Sequence, residues 1–180
     1  WLFVATVGER VDGHSFIDKA IENGACAILC ETMPENVQNH TVTFVQVDNT
    51  EKNAGIVSTR FYGNPTQKLK LVGVTGTNGK TTTSHLIYRG LLSAGKKAAV
   101  IGTLGIYFGK KMRPPTLTTP DPIYLHSLFA EMENEGIEYV VMEVSAHALQ
   151  LEKVYGLRFL VSVLTNVSED HLDDFYTMDA

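Results

Sequence analysis

The chain has 180 residues, with 15 Lys plus Arg against 20 Asp plus Glu and a formal charge of −5, a length that suits one domain or two small ones. A mildly acidic chain lacks the basic stripe of a duplex nucleic-acid binder, although backbone N–H groups can still cradle a phosphate locally. No apolar run approaches the roughly 18 residues of a membrane helix. Trp1-Leu2-Phe3-Val4 has no basic flank to mark it as a signal peptide, and the missing Met places the expected natural N-terminus upstream.

Leu2–Val7 reads as a strand. Phe16, Ile17, Ala20 and Ile21 then form a helix face that stops at Asn23-Gly24. Ala25–Cys30 is the next strand, and Cys26 and Cys30 within it are the only cysteines. Two are too few for a disulfide scaffold or a four-cysteine zinc site, so both are expected as reduced core thiols of a cytoplasmic protein. Thr43–Val47 is a further strand. Asn49-Thr50 caps a helix bearing Ala54, Val57 and Phe61. The turn cluster Tyr62-Gly63-Asn64-Pro65-Thr66 marks a boundary, giving units 1–65 and 66–180.

The second unit opens with the strand Leu69–Thr75, a Gly-rich turn and a helix running to about Ala94. Lys97–Ile101 reads as a strand and Gly102–Pro122, with Pro114, Pro115, Pro120 and Pro122, as irregular. Leu125, Leu128, Phe129 and Met132 make a helix stripe at i, i+3, i+4 and i+7. Tyr139–Met142 and Phe159–Leu164 read as buried strands. Strands alternating with helices predict an α/β fold with a mostly parallel sheet.

The sharpest motif is Gly76-Thr77-Asn78-Gly79-Lys80-Thr81-Thr82, set between a strand and a helix as a phosphate loop requires. Its glycines let the backbone turn tightly, and the helix N-terminus adds partial positive charge. Lys80 is placed to reach the β/γ-phosphates and the Thr81 hydroxyl to ligate Mg²⁺. The strict pattern fails at one place, where Val74 stands for the first glycine. Glu143 ends the apolar run Tyr139–Met142, and in open α/β sheets ligands bind beyond the carboxyl ends of the strands. A carboxylate there can hold Mg²⁺ opposite Thr81. Thr165-Asn166 and Glu169-Asp170-His171 follow another strand, and a neutral His171 is a candidate metal ligand. Thr116–Pro122 is a hydroxyl-rich, rigid loop. Asp12-Gly13-His14 is a turn with possible ligand contacts, and His147, near Glu143, either contacts the site or packs. His14, His40, His85 and His126 offer no constellation and read as structural.

The phosphate loop resembles that of the Mur ligases, which also lack the strict first glycine. Asp12-Gly13-His14, Tyr62-Gly63-Asn64-Pro65, Thr118-Thr119-Pro120-Asp121-Pro122, Met142–Leu149 and Asp170-His171-Leu172-Asp173 extend the likeness nearly end to end. The resemblance implies a small N-terminal α/β substrate domain followed by part of a P-loop central ATPase domain. It also implies an activity: ATP phosphorylates the D-glutamate carboxylate of UDP-MurNAc-L-Ala-D-Glu, and the amine of lysine or meso-diaminopimelate attacks the acyl phosphate. By the same analogy Lys80, Glu143 and His171 are catalytic. Thr81 serves a nucleotide-side Mg²⁺, and Glu143 and His171 a second ion. Glu9, Arg10, Val11, Thr118, Thr119, Ser145 and Lys153 contact the UDP-muramoyl-peptide. A monomer with no nucleic-acid or membrane partner is expected.

Three departures stand against the family pattern. Ala146 replaces a second serine, and Lys153 replaces an arginine, which is not equivalent for bidentate contacts. The chain also stops before the carbamylated lysine, the adenine contacts and the amino-acid-selecting domain that the family carries, so the piece alone is expected to be inactive. Two alternatives remain from the residues: a folylpolyglutamate-synthase-like ligase sharing the Gly-Thr-Asn-Gly-Lys loop, and a non-catalytic nucleotide-binding module.

Overall fold

The computed structural model describes residues 1–8, 11–35 and 41–168. The N-terminal part is a three-stranded parallel sheet of β1 (Leu2–Val4), β2 (Ala27–Cys30) and β3 (Thr43–Gln46), in that order. A 3-10 turn, Gly13–Phe16, and α1 (Ile17–Glu22) connect β1 to β2. Ile17 and Ala20 of α1 pack on Ala5, Ala25, Ile28 and Cys30 as one small apolar core. Cys30 lies in that core as expected. Cys26 does not: it is exposed, with its thiol against the Trp1 backbone. It stands one residue before β2, with its backbone bonded to Trp1 and Thr43 and its side chain outside the small core.

Helix α2 (Thr50–Phe61) starts where the Asn49 side chain accepts from Lys52 N at 2.8 Å, which satisfies one of the orphan amides of the first turn. Of the face expected from Ala54, Val57 and Phe61, only Ala54 is buried. Phe61 is 80% exposed, whereas Thr50, Ala54, Gly55 and Ser58 are buried. Small side chains let α2 approach the second half of the molecule closely: a Cβ on Gly55 would stand 3.4 Å from the Tyr155 carbonyl oxygen.

The larger sheet has six strands in the order β7-β6-β5-β8-β4-β9. These are β4 (Lys70–Thr75), β5 (Ala98–Gly102), β6 (Gly105–Phe108), β7 (Lys111–Arg113), β8 (Tyr139–Glu143) and β9 (Phe159–Leu164). β5, β8, β4 and β9 run parallel, and β6 and β7 join antiparallel. The segment expected to be irregular after Ile101 thus contains two hairpin strands. Gly105 and Gly109, at φ 127° and 55°, make the reversals, because only glycine enters that region cheaply.

Side-chain alternation sorts the two faces. Val72, Val74, Val100 and Val141 meet Ile87, Tyr88 and Leu91 of α3 (Lys80–Ser93). Leu71, Ile101, Val140 and Met142 meet α4 (Pro122–Asn134), whose Leu125, Leu128, Phe129 and Met132 are fully buried. The sequence stripe is therefore the packed stripe, at about 1.5–3 kcal/mol for each such side chain removed from water. β9 departs from expectation: Leu160, Val161 and Leu164 are 62%, 47% and 63% exposed, because among the described residues β9 pairs only with β4 and forms the sheet's edge. Among the described residues no helix is long and apolar enough to cross a membrane.

Candidate functional site: a phosphate loop facing a buried carboxylate

The sheet order brings the decisive residues together. β8 and β9 flank β4, pairing Val74 with Glu143 and Thr75 with Leu164. The chain leaving β4 therefore emerges between the carboxyl ends of two neighbours. It turns through Gly76–Gly79 and enters α3 at Lys80, so the first amides of α3 face the same edge. The loop is shaped from the β9 side. Thr77 N donates to Asn166 O at 3.1 Å, Asn78 N to Asn166 Oδ1 at 3.0 Å, and Asn166 Nδ2 to Asn78 O at 3.1 Å. The Thr165 hydroxyl lies 2.6 Å from Asn78 O and 3.1 Å from Thr75 O. Gly76 adopts φ 126°, and a Cβ there would stand 2.3 Å from Thr165 Oγ1 and 2.7 Å from Asn166 O. Both conformation and space require glycine. Lys80 Nζ donates to Gly76 O at 2.6 Å and Thr77 O at 2.9 Å, lying along the loop it would serve.

On the β8 side, Glu143 is fully buried. Thr81 Oγ1 donates to Glu143 Oε2 at 2.9 Å, Thr103 N to Oε1 at 3.1 Å and Thr103 Oγ1 to Oε2 at 3.1 Å. Burying a carboxylate is costly unless its lone pairs are satisfied, and three donors meet that need. Thr119 Oγ1 donates to the Glu143 carbonyl oxygen at 3.0 Å and accepts from Ser145 N at 3.1 Å. This ties the hydroxyl-rich loop to the end of β8. Ser145 then caps α5 (Ala146–Gln150) by accepting from Ala148 N at 3.1 Å.

Residues 74–180 match the Mur ligase middle domain, and residues 1–62 match the Mur ligase family, catalytic domain. The chain belongs to the Mur ligase family. A UDP-N-acetylmuramoyl-L-alanyl-D-glutamate--2,6-diaminopimelate ligase from Bacteroides fragilis is 46% identical over 178 residues, covering 99% of this chain and 36% of the relative. A solved structure of a ligase of the same name superposes with TM-score 0.78 at 26% identity, over 95% of this chain and 34% of that one. The MurF ligase from Thermotoga maritima in complex with ADP gives 0.63 at 28%, over 99% and 37%. A Mycobacterium tuberculosis folylpolyglutamate synthase shares only the fold, with TM-score 0.53 at 15% identity over 68% of this chain and 34% of that one. The chain spans little more than a third of the length of the curated relatives.

Against this Mur ligase background, the residues expected at the site separate into groups. Thr77, Asn78, Lys80, Thr81, Glu143, Thr118, Thr119 and Ser145 meet at one edge of the large sheet; Thr118 Oγ1 is 3.2 Å from Thr103 Oγ1. Thr82 is exposed on the first turn of α3. Lys153 is half-buried just past α5, within electrostatic range of Glu51, whose carboxyl pKa is raised chiefly by burial. Val11 is exposed, and its carbonyl oxygen accepts from Gly8 N at 3.1 Å. Glu9, Arg10 and His171 lie outside the described residues, as does His40.

Asp12-Gly13-His14 forms a clamp. The His14 ring nitrogen Nδ1 is 2.6 Å from Asp12 Oδ1, and Nε2 accepts from Glu31 N and Thr32 N at 2.9 and 3.2 Å. The Asp12 carboxyl is held below its ordinary range, chiefly by the His14 backbone amide. His85 packs edge-on to Tyr88 and Tyr107, and His126 bonds Thr59. Thr103 and Gly102 were not expected at the site. They sit at the end of β5, and no motif in the sequence marks them.

Glu143 and Thr81 suit Mg²⁺. Both offer hard oxygen donors, and the Thr81 proton points to Glu143, which leaves the hydroxyl lone pairs for a cation. Among the described residues no cluster of three or more His, Cys, Asp or Glu side chains forms a metal site by itself, so a Mg²⁺ here would draw other ligands from phosphate oxygens and water.

Proposed function

We propose that this chain forms the substrate-binding and phosphate-binding parts of an ATP-dependent amide ligase that joins diaminopimelate to UDP-MurNAc-L-Ala-D-Glu. The observation that carries the reading is Glu143, buried and bonded to Thr81 directly beside the phosphate loop. The relatives' names support diaminopimelate over lysine as the added amine, and the ADP complex of a related ligase supports ATP as the phosphoryl donor. Residues 1–65 are the substrate unit and 66–180 the nucleotide unit, a division that the separate sheets support.

The chemistry follows from position. A carboxylate oxygen of the D-glutamate side chain bonds to the γ-phosphorus while the bond to the ADP oxygen breaks. The diamino acid's amine then bonds to the acyl carbon, loses a proton, and phosphate leaves. Loop amides and Lys80 neutralise phosphoryl charge, with Lys80 exchanging its bonds to Gly76 and Thr77 carbonyls for phosphate oxygens. Thr81, with Glu143 facing it, would hold a nucleotide-side Mg²⁺, which would supply charge neutralisation on the phosphates, and Glu143 with His171 would hold a second ion. Thr118, Thr119, Ser145 and Lys153, with Glu9, Arg10 and Val11, orient the nucleotide-peptide. The enzyme acts as a monomer in the cytoplasm, without nucleic-acid or membrane partners.

The test is phosphate release by the full-length protein with ATP, Mg²⁺ and UDP-MurNAc-L-Ala-D-Glu, with and without each diamino acid. Release that requires both the nucleotide-peptide and diaminopimelate is expected. Release driven by lysine would reassign the amine. No release with any amine, from protein that binds ATP, would favour the non-catalytic module.

A further inference from the structure

Glu143 owes its orientation to β5 more than to its own strand. Among the described residues, two of its three side-chain hydrogen bonds come from Thr103, one from the amide and one from the hydroxyl. The preceding residue makes room for it: a Cβ on Gly102 would stand 2.0 Å from Glu143 Oε1 and 2.6 Å from its carboxyl carbon. Gly102 has no positive φ to explain its identity, so the space is the reason for glycine. The Thr103 hydroxyl has a single proton. With that proton on Glu143, the 3.2 Å contact to Thr118 Oγ1 makes Thr118 the donor and Thr103 the acceptor. The hydroxyl is thereby fixed from both sides.

We propose that Thr103 is a positioning residue, which with the Gly102 cradle holds the Glu143 carboxylate facing Thr81 for Mg²⁺-nucleotide binding. The proposal rests on the Mg²⁺-nucleotide part of the function above. It does not depend on which acid or amine the enzyme joins. Thr81 alone would leave Glu143 one bond to an oxygen that itself turns toward a cation. Thr103 keeps the carboxylate aimed when that happens, and outer-shell partners of this kind are worth about 10–100-fold in metal affinity or activity.

The experiment measures ADP affinity of the full-length protein by calorimetry, in Mg²⁺ and in EDTA, for wild type, Thr103→Val and Thr103→Ser. Thr103→Val, nearly the same shape without the hydroxyl, is expected to weaken binding about 10-fold in Mg²⁺ and leave the EDTA affinity close to that of wild type. Thr103→Ser is expected to restore most of the Mg²⁺ effect, which a purely structural role of the methyl group would not allow. If Thr103→Val lacks a cooperative melting transition, Thr103→Ala is read in its place with the same expectation. Equal Mg²⁺ dependence in the variant and wild type overturns the proposal. So does equal weakening in Mg²⁺ and EDTA. A wild-type ADP affinity indifferent to Mg²⁺ overturns both this proposal and the metal role of the site. Failure of amine-dependent phosphate release by wild type, with the Mg²⁺ effect of Thr103→Val intact, would sink only the ligase reading.

Discussion

Lys80 spends its charge on two carbonyl oxygens of its own loop, so it is already oriented along the path a phosphate chain would follow. Lys80→Ala in the full-length enzyme is expected to cut turnover by roughly 10²–10³ or more, the usual loss for a preorganised charge-stabilising donor, with little change in melting temperature. Near-normal turnover would remove Lys80 from the mechanism. Gly76→Ala is a harsher change, because the new methyl meets Thr165 and Asn166 while φ is 126°. The expected result is loss of ADP binding together with a lower melting temperature. Wild-type behaviour in both would contradict the loop geometry. Motif reading reached Lys80, Thr81 and Glu143 because their neighbours in sequence announce them. It did not reach Gly102 and Thr103, whose role arises from a contact 40 positions away, a relation no local pattern encodes.

Among the elements, α4 was the most legible, since four apolar positions at helical spacing are the four that the sheet covers. Phe129→Ala should cost about 3–5 kcal/mol in a denaturant titration; a cost under 1 kcal/mol would mean that the stripe is not the packed face. The β6–β7 hairpin was not legible: it is short, and its polar turn reads like the loop that follows. Ile106 and Phe108 anchor β6 in the core, and charges line the edge of the hairpin. Arg113 donates to both carboxylate oxygens of Glu131 at 2.6 and 2.7 Å, and Lys111 reaches Glu131 and Glu135 at 2.9 and 2.8 Å. These groups are largely solvated, so Glu131→Gln is expected to cost about 1 kcal/mol or less and to cost still less in high salt. α2 misled for a different reason. Apolar periodicity pointed to Val57 and Phe61, yet the face used is built of small residues that permit close helix contact.

At the scale of the molecule, α2 and α4 join the two sheets, and His126 stands at that junction with Nε2 3.0 Å from Thr59 Oγ1. Burial lowers its pKa from 6.5 to about 4. The folded state therefore keeps His126 neutral where the unfolded chain takes up a proton. Stability from this group is complete above about pH 6.5, falls progressively as the pH drops, and is lost near pH 4. Urea midpoints of the full-length protein should decline more steeply from pH 7 to 5 in wild type than in His126→Gln; parallel slopes would show that His126 does not contribute.

The contacts that shape the phosphate loop reach 87 to 91 residues forward, from Thr77 and Asn78 to Thr165, Asn166 and Ser168. During synthesis, then, the whole Gly-Lys-Thr motif leaves the ribosome well before the segment that moulds it. At about 5–20 residues per second that delay is roughly 5–20 seconds. Through that interval the nascent chain carries a nucleotide motif without a nucleotide site, and cellular ATP has nothing shaped to grip. Ligand stabilisation, which acts only on what already binds, thus cannot begin at this loop until the residues after β9 have reached it.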